Sequence, residues 1–540
     1  MSIDIPSTRT GTAMTSEPES AADKRLDTSR NEAVQPSPNT HPAEQTPLTE
    51  SVRRGEVDGT DRSANPKRWW ILAVLGVAQL MVILDVTIVN IALPGAQADL
   101  EFTDANRQWV ITGYALPFGS LLLLGGRISD MFGRRNTFLV ALVGFAIASA
   151  AGGAAVNFPI LVVARICQGV FAALLAPTAL ALLTVTFTDQ KERARAFGVF
   201  GAIVGIASAV GLLLGGALTE WASWRWSMYV NLIFAGVALL GAALLLPRDT
   251  RGRPILDLPG AAAATAGLFS LVYSFSRADT HGWLNGGTIG LLVAGSTLLI
   301  VFVALQTRVR NPLIPVRILL DRTRGGSYIG IFIMGTGMFA VYLFLTYYMQ
   351  LVLNYSPLRT GVAFLPLVLS LSVAAVTIPT FLMPRIGAKS TIGGAFGVSA
   401  VGLLLLTYIR TDSMYIGGVL PGLTILGFGV GVAVAVTYQG STAGVEPRDA
   451  GAASATLTTM QQVGGSIGTA LLNTIAATTA THFLRGKTPS RAVIAQAQVE
   501  GFVTVFWWGI WIFLLGGLLV VLLMPNRLAA SADEDSVALL

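Results

Sequence analysis

The sequence predicts an all-α, polytopic membrane protein, and three observations carry that prediction. First, the 540-residue chain is 53% hydrophobic and only 12% charged, about half the charged share of a soluble domain. Second, from Trp69 onward apolar runs of about 20 residues recur, each long enough to cross a hydrocarbon layer about 30 Å thick. Third, the short loops between alternate runs hold roughly twice as many Lys and Arg as the loops on the opposite side, the bias that sets membrane topology. A mean hydropathy of +0.64 excludes a single soluble core. The 58 glycines fit as well, because membrane helices tolerate glycine and use it for close packing.

Taken in order, residues 1–66 are rich in Ser, Thr, Pro, Glu and Asp, contain no apolar run, and read as a disordered cytoplasmic tail. The first residues lack a basic region followed by an apolar core, so the first span is expected to act as the targeting signal. Apolar spans follow at 69–93, 107–126, 137–156, 158–184, 194–218 and 226–247, then at 257–277 and 284–305. The last six are 326–352, 357–383, 390–410, 414–440, 450–477 and 501–524. That makes 14 transmembrane helices, an even count that puts both termini on the cytoplasmic side. A weak internal duplication divides them. Asp130-Met131-Phe132-Gly133-Arg134-Arg135 enters the third span, and Pro384-Arg385-Ile386-Gly387-Ala388-Lys389 enters the eleventh. The expected domains are a six-helix bundle at 67–247, two inserted linker helices at 248–324, a second six-helix bundle at 325–524 and a cytoplasmic tail at 525–540. Repeated halves around a central site are a common transporter plan.

Asp85 is the most informative residue. It stands inside the first apolar span, where a central charge costs about 2.5–3.5 kcal/mol on insertion scales. Desolvation favours the neutral acid and a nearby cation favours the carboxylate. Arg165, in the fourth span, is the natural cation. Asp85 lies about eight residues from the outer end of its helix and Arg165 about seven from the outer start of its own, so at 1.5 Å per residue both sit ~10–12 Å deep. A static ion pair that fixes packing and a proton site whose pair breaks in one conformation are both open on this pattern. Gly126-Arg127-Ile128-Ser129-Asp130 through Gly133 and Arg134 forms the loop after the second span. It is either a topogenic loop with a helix cap or a gate element. The fifth span carries Gly201, Gly205, Gly211, Gly215 and Gly216, small residues that let backbones approach, whether for static packing or for sliding.

These stretches resemble the major facilitator superfamily, and within it the fourteen-helix drug:proton antiporter group. The resemblance runs from about residue 69 to 524. Leu84 to Pro94 is similar to that group's first-helix motif, and Gly126 to Arg135 to the superfamily's loop signature. Arg165, Gln168 and Gly169 resemble its fourth-helix motif, and Gly201 to Gly216 its antiporter motif. Trp224-Arg225-Trp226 followed by Asn231 looks like the start of its sixth helix, and Tyr348-Met349-Gln350 through Pro366 is similar to a later helix junction. The chain departs from the pattern at Leu212, where the antiporter motif has proline, at Met131, where a basic residue is common, and at Ile233.

The resemblance implies proton coupling through Asp85 with Arg165 as its modulator, and a latch formed by Gly126, Asp130, Gly133 and Arg134. It also implies a cavity between the halves, with Tyr114, Phe339, Tyr342, Tyr347, Gln461 and Asn473 as candidate lining residues; lipid-facing or interfacial positions are the alternative for each. On this reading the protein is a monomeric multidrug efflux antiporter of the cell membrane. Its partners are protons, a small amphiphilic substrate and membrane lipid, with no nucleic acid and no cofactor, and it confers antibiotic resistance. Proton-coupled uptake of a small nutrient on the same fold is the alternative. No G-x-x-x-x-G-K-S/T phosphate loop appears, which argues against ATP-driven transport by this chain. A single cysteine, Cys167, and three histidines outside the apolar runs give no metal or haem cluster, and nothing suggests an enzyme.

Overall fold

The computed structural model describes residues 67–526 apart from positions 105, 188, 248–256, 310–311, 315, 446–449 and 489. The tail expected at 1–66, and the second tail beyond Asn526, lie outside the described residues. Among the described residues there is no strand. A backbone in hydrocarbon must satisfy its own N–H and C=O groups, and the helix does so locally.

The helices are α1 (Arg68–Leu100), α2 (Gln108–Phe132), α3 (Arg134–Gly153), α4 (Phe158–Thr186), α5 (Gln190–Trp221), α6 (Trp226–Leu245), α7 (Leu258–His281) and α8 (Gly286–Arg308). A short α9 (Val316–Leu320) precedes α10 (Arg322–Tyr347), α11 (Pro357–Ala363), α12 (Leu365–Leu406), α13 (Leu420–Thr442), α14 (Ala450–Leu484) and α15 (Arg491–Leu523). Eleven helices among the described residues are long and apolar enough to cross a membrane. Of the other long ones, α2 and α14 carry buried polar side chains along their length, including Thr112 and Ser120 in the first and Thr456, Gln462 and Asn473 in the second.

Helix starts are written in the sequence. Asn157 caps α4 by accepting from the Ile160 N–H at 3.0 Å, with Pro159 in the first turn. Asp189 caps α5 through Glu192, Asn285 caps α8 through Gly287, and Ser490 caps α15 through Val493. Asp321 caps α10; partial burial disfavours its carboxylate, but the hydrogen bonds and charge of Arg324 outweigh that and hold its pKa below the usual value.

The suspected duplication has a geometric counterpart. Gly133, between α2 and α3, has φ 90 and ψ 135. Gly387, where α12 breaks into two helices, has φ 81 and ψ 163. Only glycine adopts that region without strain. Four residues on, each break is closed by a threonine: the Thr137 N–H donates to the Gly133 carbonyl at 3.0 Å, and the Thr391 hydroxyl donates to the Gly387 carbonyl at 2.7 Å.

Apolar packing falls into two large clusters. One holds residues of α1–α6 alone among its buried members, around Phe138, Phe145, Phe187 and Leu75. The other joins α10–α15 to residues at the end of the molecule where α1 finishes and α2 begins, including Ile91, Leu93, Phe102, Leu212 and Trp224. Cross-packing between the two groups of helices is dense at this α1–α2 end and continues along α2 against α14, through Leu116 beside Val463, as far as Gly119, where an added Cβ would stand 2.8 Å from Gln462 Cβ. Within the first group, α2 and α4 approach at Gly169, where an added Cβ would meet the Tyr114 carbonyl of α2. Because backbone cannot yield as a side chain does, Gly169→Ala is expected to destabilise the fold by about 1–3 kcal/mol. The check is its melting temperature in detergent; an unchanged value would mean that the α2–α4 seam is loose.

Candidate functional site

Helices α1, α2, α3, α4 and α6 converge on Asp85. The side chain is fully buried, as are Arg165, Gln168, Ser149 and Asn231. Arg165 Nη1 donates to Asp85 Oδ2 at 2.5 Å. Asp85 Oδ1 accepts from Gln168 Nε2 at 3.0 Å and from Asn231 Nδ2 at 2.6 Å. The guanidinium is held further: its Nε donates to the Val110 carbonyl at 3.0 Å, and its Nη1 to Gln168 Oε1 at 3.0 Å. Its carbon stands 4.5 Å from the centre of the Tyr114 ring. Gln168 Nε2 also donates to the Ser149 hydroxyl at 2.7 Å.

A buried charge is tolerated only when paired and hydrogen-bonded, and this one is both. The arrangement also bears on what happens if Asp85 takes up a proton. Arg165 would then lose its counter-charge but keep a backbone carbonyl, an amide carbonyl and an aromatic face, each of which stabilises a cation. The cluster can therefore accommodate a neutral Asp85 without stranding a bare guanidinium.

Helix α5 flanks the site. An added Cβ at Gly215 would stand 2.9 Å from Ile88 Cα, and Gly211 lies against Thr87 and Leu84, the neighbours of Asp85 on α1. At Gly216 the same helix meets the other group of helices, where a Cβ would be 2.7 Å from Leu358 Cα of α11. Gly361 of α11 lies in turn against the Leu212 carbonyl. Gly201 and Gly205 belong to α5 as well, but their surroundings lie outside the described part of the structure. The stretch expected as a loop after the second span is helical instead: α2 continues to Phe132, so Gly126 lies within it and faces Pro177 of α4, Gly133 alone makes the turn, and Arg134 opens α3. The Asp130 side chain lies outside the described part.

At the α1–α2 end polar contacts join the two groups of helices. The Tyr347 hydroxyl donates to Gln97 Oε1, and Gln350 Nε2 donates to the Ile91 carbonyl at 2.9 Å. The Leu358 N–H donates to Glu220 Oε2 at 3.0 Å. Arg107, only 3% exposed, donates through Nε to Asn473 Oδ1 at 2.9 Å, and Asn473 Nδ2 donates to the Asp104 carbonyl at 3.0 Å. Rings of Tyr347 and Phe344 lie 4.3 and 5.5 Å from the Arg107 guanidinium carbon. Deeper, Thr459 of α14 donates to the Gly119 carbonyl of α2 at 2.9 Å. This end is sealed.

The structure sorts the six candidate lining residues accordingly. Tyr114 is committed to Arg165, while Tyr347 and Asn473 belong to the seal, so in this conformation these three do not line an open cavity. Tyr342 faces Ser208 of α5 and the Phe364 ring at 5.3 Å, and so touches both groups of helices. Phe339 packs on Gly465, and the Gln461 backbone backs onto Gly335. In the sequence Gln168 and Asn231 stand out only as parts of motifs, and Arg107 only as one of the few cations at the helix mouths on the Lys- and Arg-poor side. The available signal was an amide well inside an apolar span, and for Gln168 its position three residues after Arg165, on the same helix face. Among the described residues no group of His, Cys, Asp or Glu could hold a metal ion.

Long apolar helices that bury the Asp85–Arg165 pair inside one group, and meet a second group of helices across a sealed end, are the build of a multi-pass membrane protein of the transporter class. The chain belongs to the Major Facilitator Superfamily, whose pattern its residues 75–469 match. It is 45% identical over 478 residues to the puromycin resistance protein of Streptomyces alboniger, a match spanning 88% of this chain and 94% of that one. To the cephamycin export protein of Amycolatopsis lactamdurans it is 35% identical over 452 residues, spanning 83% and 90% of the two chains. A solved bacterial homologue of the human lysosomal transporter Spinster, inward-facing and unoccupied, superposes with a TM-score of 0.61 at 16% identity, over 86% of this chain and 99% of that one. At that identity the likeness is one of fold. The family expected from the loop and helix motifs is the family found, and its members are transporters, not enzymes.

Proposed function

We propose that this transporter exports small amphiphilic, antibiotic-like molecules across the cell membrane in exchange for protons, with Asp85 as the proton-carrying group. The observation that carries the coupling is the buried Asp85 cluster. It is an ionisable group inside the bundle, held by a cation that has other partners when the carboxylate is neutralised. Resistance and export proteins among the relatives support the direction and the kind of substrate.

On this reading the chain crosses the membrane fourteen times. The halves of α12 count as two spans, α1–α6 and α10–α15 form the two six-helix bundles, and α7 and α8 are the insertion between them. Both termini lie in the cytoplasm and the sealed α1–α2 end faces outward. Substrate enters between the halves from the inside, near Tyr342, Phe339 and Gln461. Opening the outer end must part Glu220 from Leu358 and shift α11 against Gly216. That motion passes along α5 to Gly211 and Gly215, and so to the stretch of α1 carrying Asp85. The mechanical path thus joins the seal to the proton site within one helix.

The test is transport of radiolabelled puromycin into proteoliposomes with an acidic interior, in which the proton gradient drives accumulation in the export direction. Accumulation above that of protein-free vesicles, lost on adding a proton–potassium exchanger, is the expected result. Accumulation indifferent to the gradient would sink the coupling. Accumulation only when substrate and protons move the same way would make the protein an importer.

A further inference from the structure

Asn231 holds its two amide atoms in unequal circumstances. Nδ2 donates to Asp85 Oδ1 at 2.6 Å, while Oδ1 has no hydrogen-bond partner among the described residues although the residue is fully buried. A buried acceptor left unmet is unfavourable and calls for an explanation. The neighbouring carboxylate supplies one. Once protonated at Oδ1, Asp85 changes from acceptor to donor and would confront an N–H where it needs an oxygen. The other amide at the site cannot adjust, because Gln168 Oε1 is held by Arg165 while Gln168 Nε2 is shared between Ser149 and Asp85. Asn231 can. A half-turn about its terminal torsion, which is roughly two-fold, exchanges the two atoms and brings the idle oxygen to the acid. Each orientation leaves one end of the amide unmet, so the turn changes little except the partner offered to Asp85.

We propose that Asn231 is a positioning residue for proton uptake: its amide donates to the Asp85 carboxylate and, turned over, accepts from the Asp85 acid. The idea rests on Asp85 being the proton site. The proton adds to Asp85 Oδ1 from water admitted when the cluster opens; no bond of Asn231 is made or broken other than hydrogen bonds. The charged or titratable groups facing Asp85 among the described residues are Arg165 from α4 and Tyr114 from α2. Helix α3 contributes Ser149, α6 contributes Asn231, and α5 presents Gly211.

Infrared difference spectra of the reconstituted protein, taken between alkaline and acidic pH, test this. Four samples are needed: unlabelled protein, protein with 13C-labelled asparagine, Asp85→Asn and Asn231→Val. A carboxylic C=O band that appears on acidification and is missing in Asp85→Asn reports Asp85. With it, a side-chain amide C=O band, identified by the label and missing in Asn231→Val, moves to lower wavenumber as the idle oxygen gains a donor. In Asn231→Val the midpoint of the Asp85 band rises by about one pH unit, since the lost bond to the charged form is stronger than the lost bond to the neutral one. Asn231→Ser, whose hydroxyl both donates and accepts, brings the midpoint back toward the parent value. An Asp85 band that titrates while the asparagine band stays still, or an unmoved midpoint in Asn231→Val, overturns the role of Asn231 and leaves Asp85 standing. If no band belongs to Asp85, the proton site itself is wrong and the Asn231 proposal falls with it. The labelled parent protein gives the answer even if the valine variant does not fold.

Discussion

Asp85→Asn is expected to reduce gradient-driven transport to the level of protein-free vesicles while the protein still folds and inserts. Asparagine has nearly the shape of aspartate and keeps one carbonyl oxygen within reach of Arg165 Nη1, but it cannot carry a proton. Removing one partner of a buried pair typically costs about 3–5 kcal/mol because a naked charge remains. Here the cost should fall at the lower end, since the Val110 carbonyl, Gln168 Oε1 and the Tyr114 ring still surround the guanidinium. A lowered melting point with a normal elution profile would show a weakened but folded protein. Substrate counterflow without a pH gradient then separates the two ways of failing: counterflow that survives means that only coupling was lost. Parental transport with the parental pH dependence would remove Asp85 from the mechanism.

What could be read from the chain, and what could not, follows from which distances a helix fixes by itself. Asp85 and Arg165 were matched because both depths are counted along a single helix from an apolar boundary, and the rise per residue is the same in each. The structure closes that pair to 2.5 Å. The turns at Gly133 and Gly387 were visible as similar strings, and a positive φ at both explains why glycine stands there. Asn231 was harder, since an amide in an apolar span serves equally well to fasten two helices. Tyr347 and Asn473 were candidates for the lining of the cavity that the resemblance implies. Whether they line it or seal it depends on how far the two groups of helices have closed, and no local pattern encodes that. Arg107 was the hardest: a cation at a helix mouth reads as a topology signal, and only the docking of α10 and α14 over it turns it into a buried residue.

That burial makes Arg107→Ala the second large effect. In the sealed state Arg107 bonds Asn473 at 2.9 Å and lies over the Tyr347 ring at 4.3 Å, with Phe344 beyond. Its contact with Asp104 Oδ1 is 3.6 Å and that carboxylate is half exposed, so solvent screens it and it adds little. A bond involving a charged group contributes about 1.5–3 kcal/mol and a desolvated cation–π contact about 2 kcal/mol. When the end opens, water replaces both, so their loss destabilises the sealed state far more than the open one. Together they come to about 3.5–5 kcal/mol, so opening should become more frequent by on the order of a few hundredfold to a few thousandfold, since each 1.4 kcal/mol is a factor of ten. The chain's single cysteine makes the measurement direct. In a Cys167→Ser background, Leu93→Cys puts a thiol at a site only 1% exposed beneath the seal. Its reaction rate with a membrane-impermeant maleimide added from outside then reports opening. Arg107→Ala should raise that rate by the factor above, and Arg107→Lys should fall between, because an ammonium keeps the charge but loses the planar face that stacks on Tyr347. An alanine variant labelled no faster than its parent would mean that the apolar contacts around Leu93 and Trp224 hold the outer end shut without the arginine.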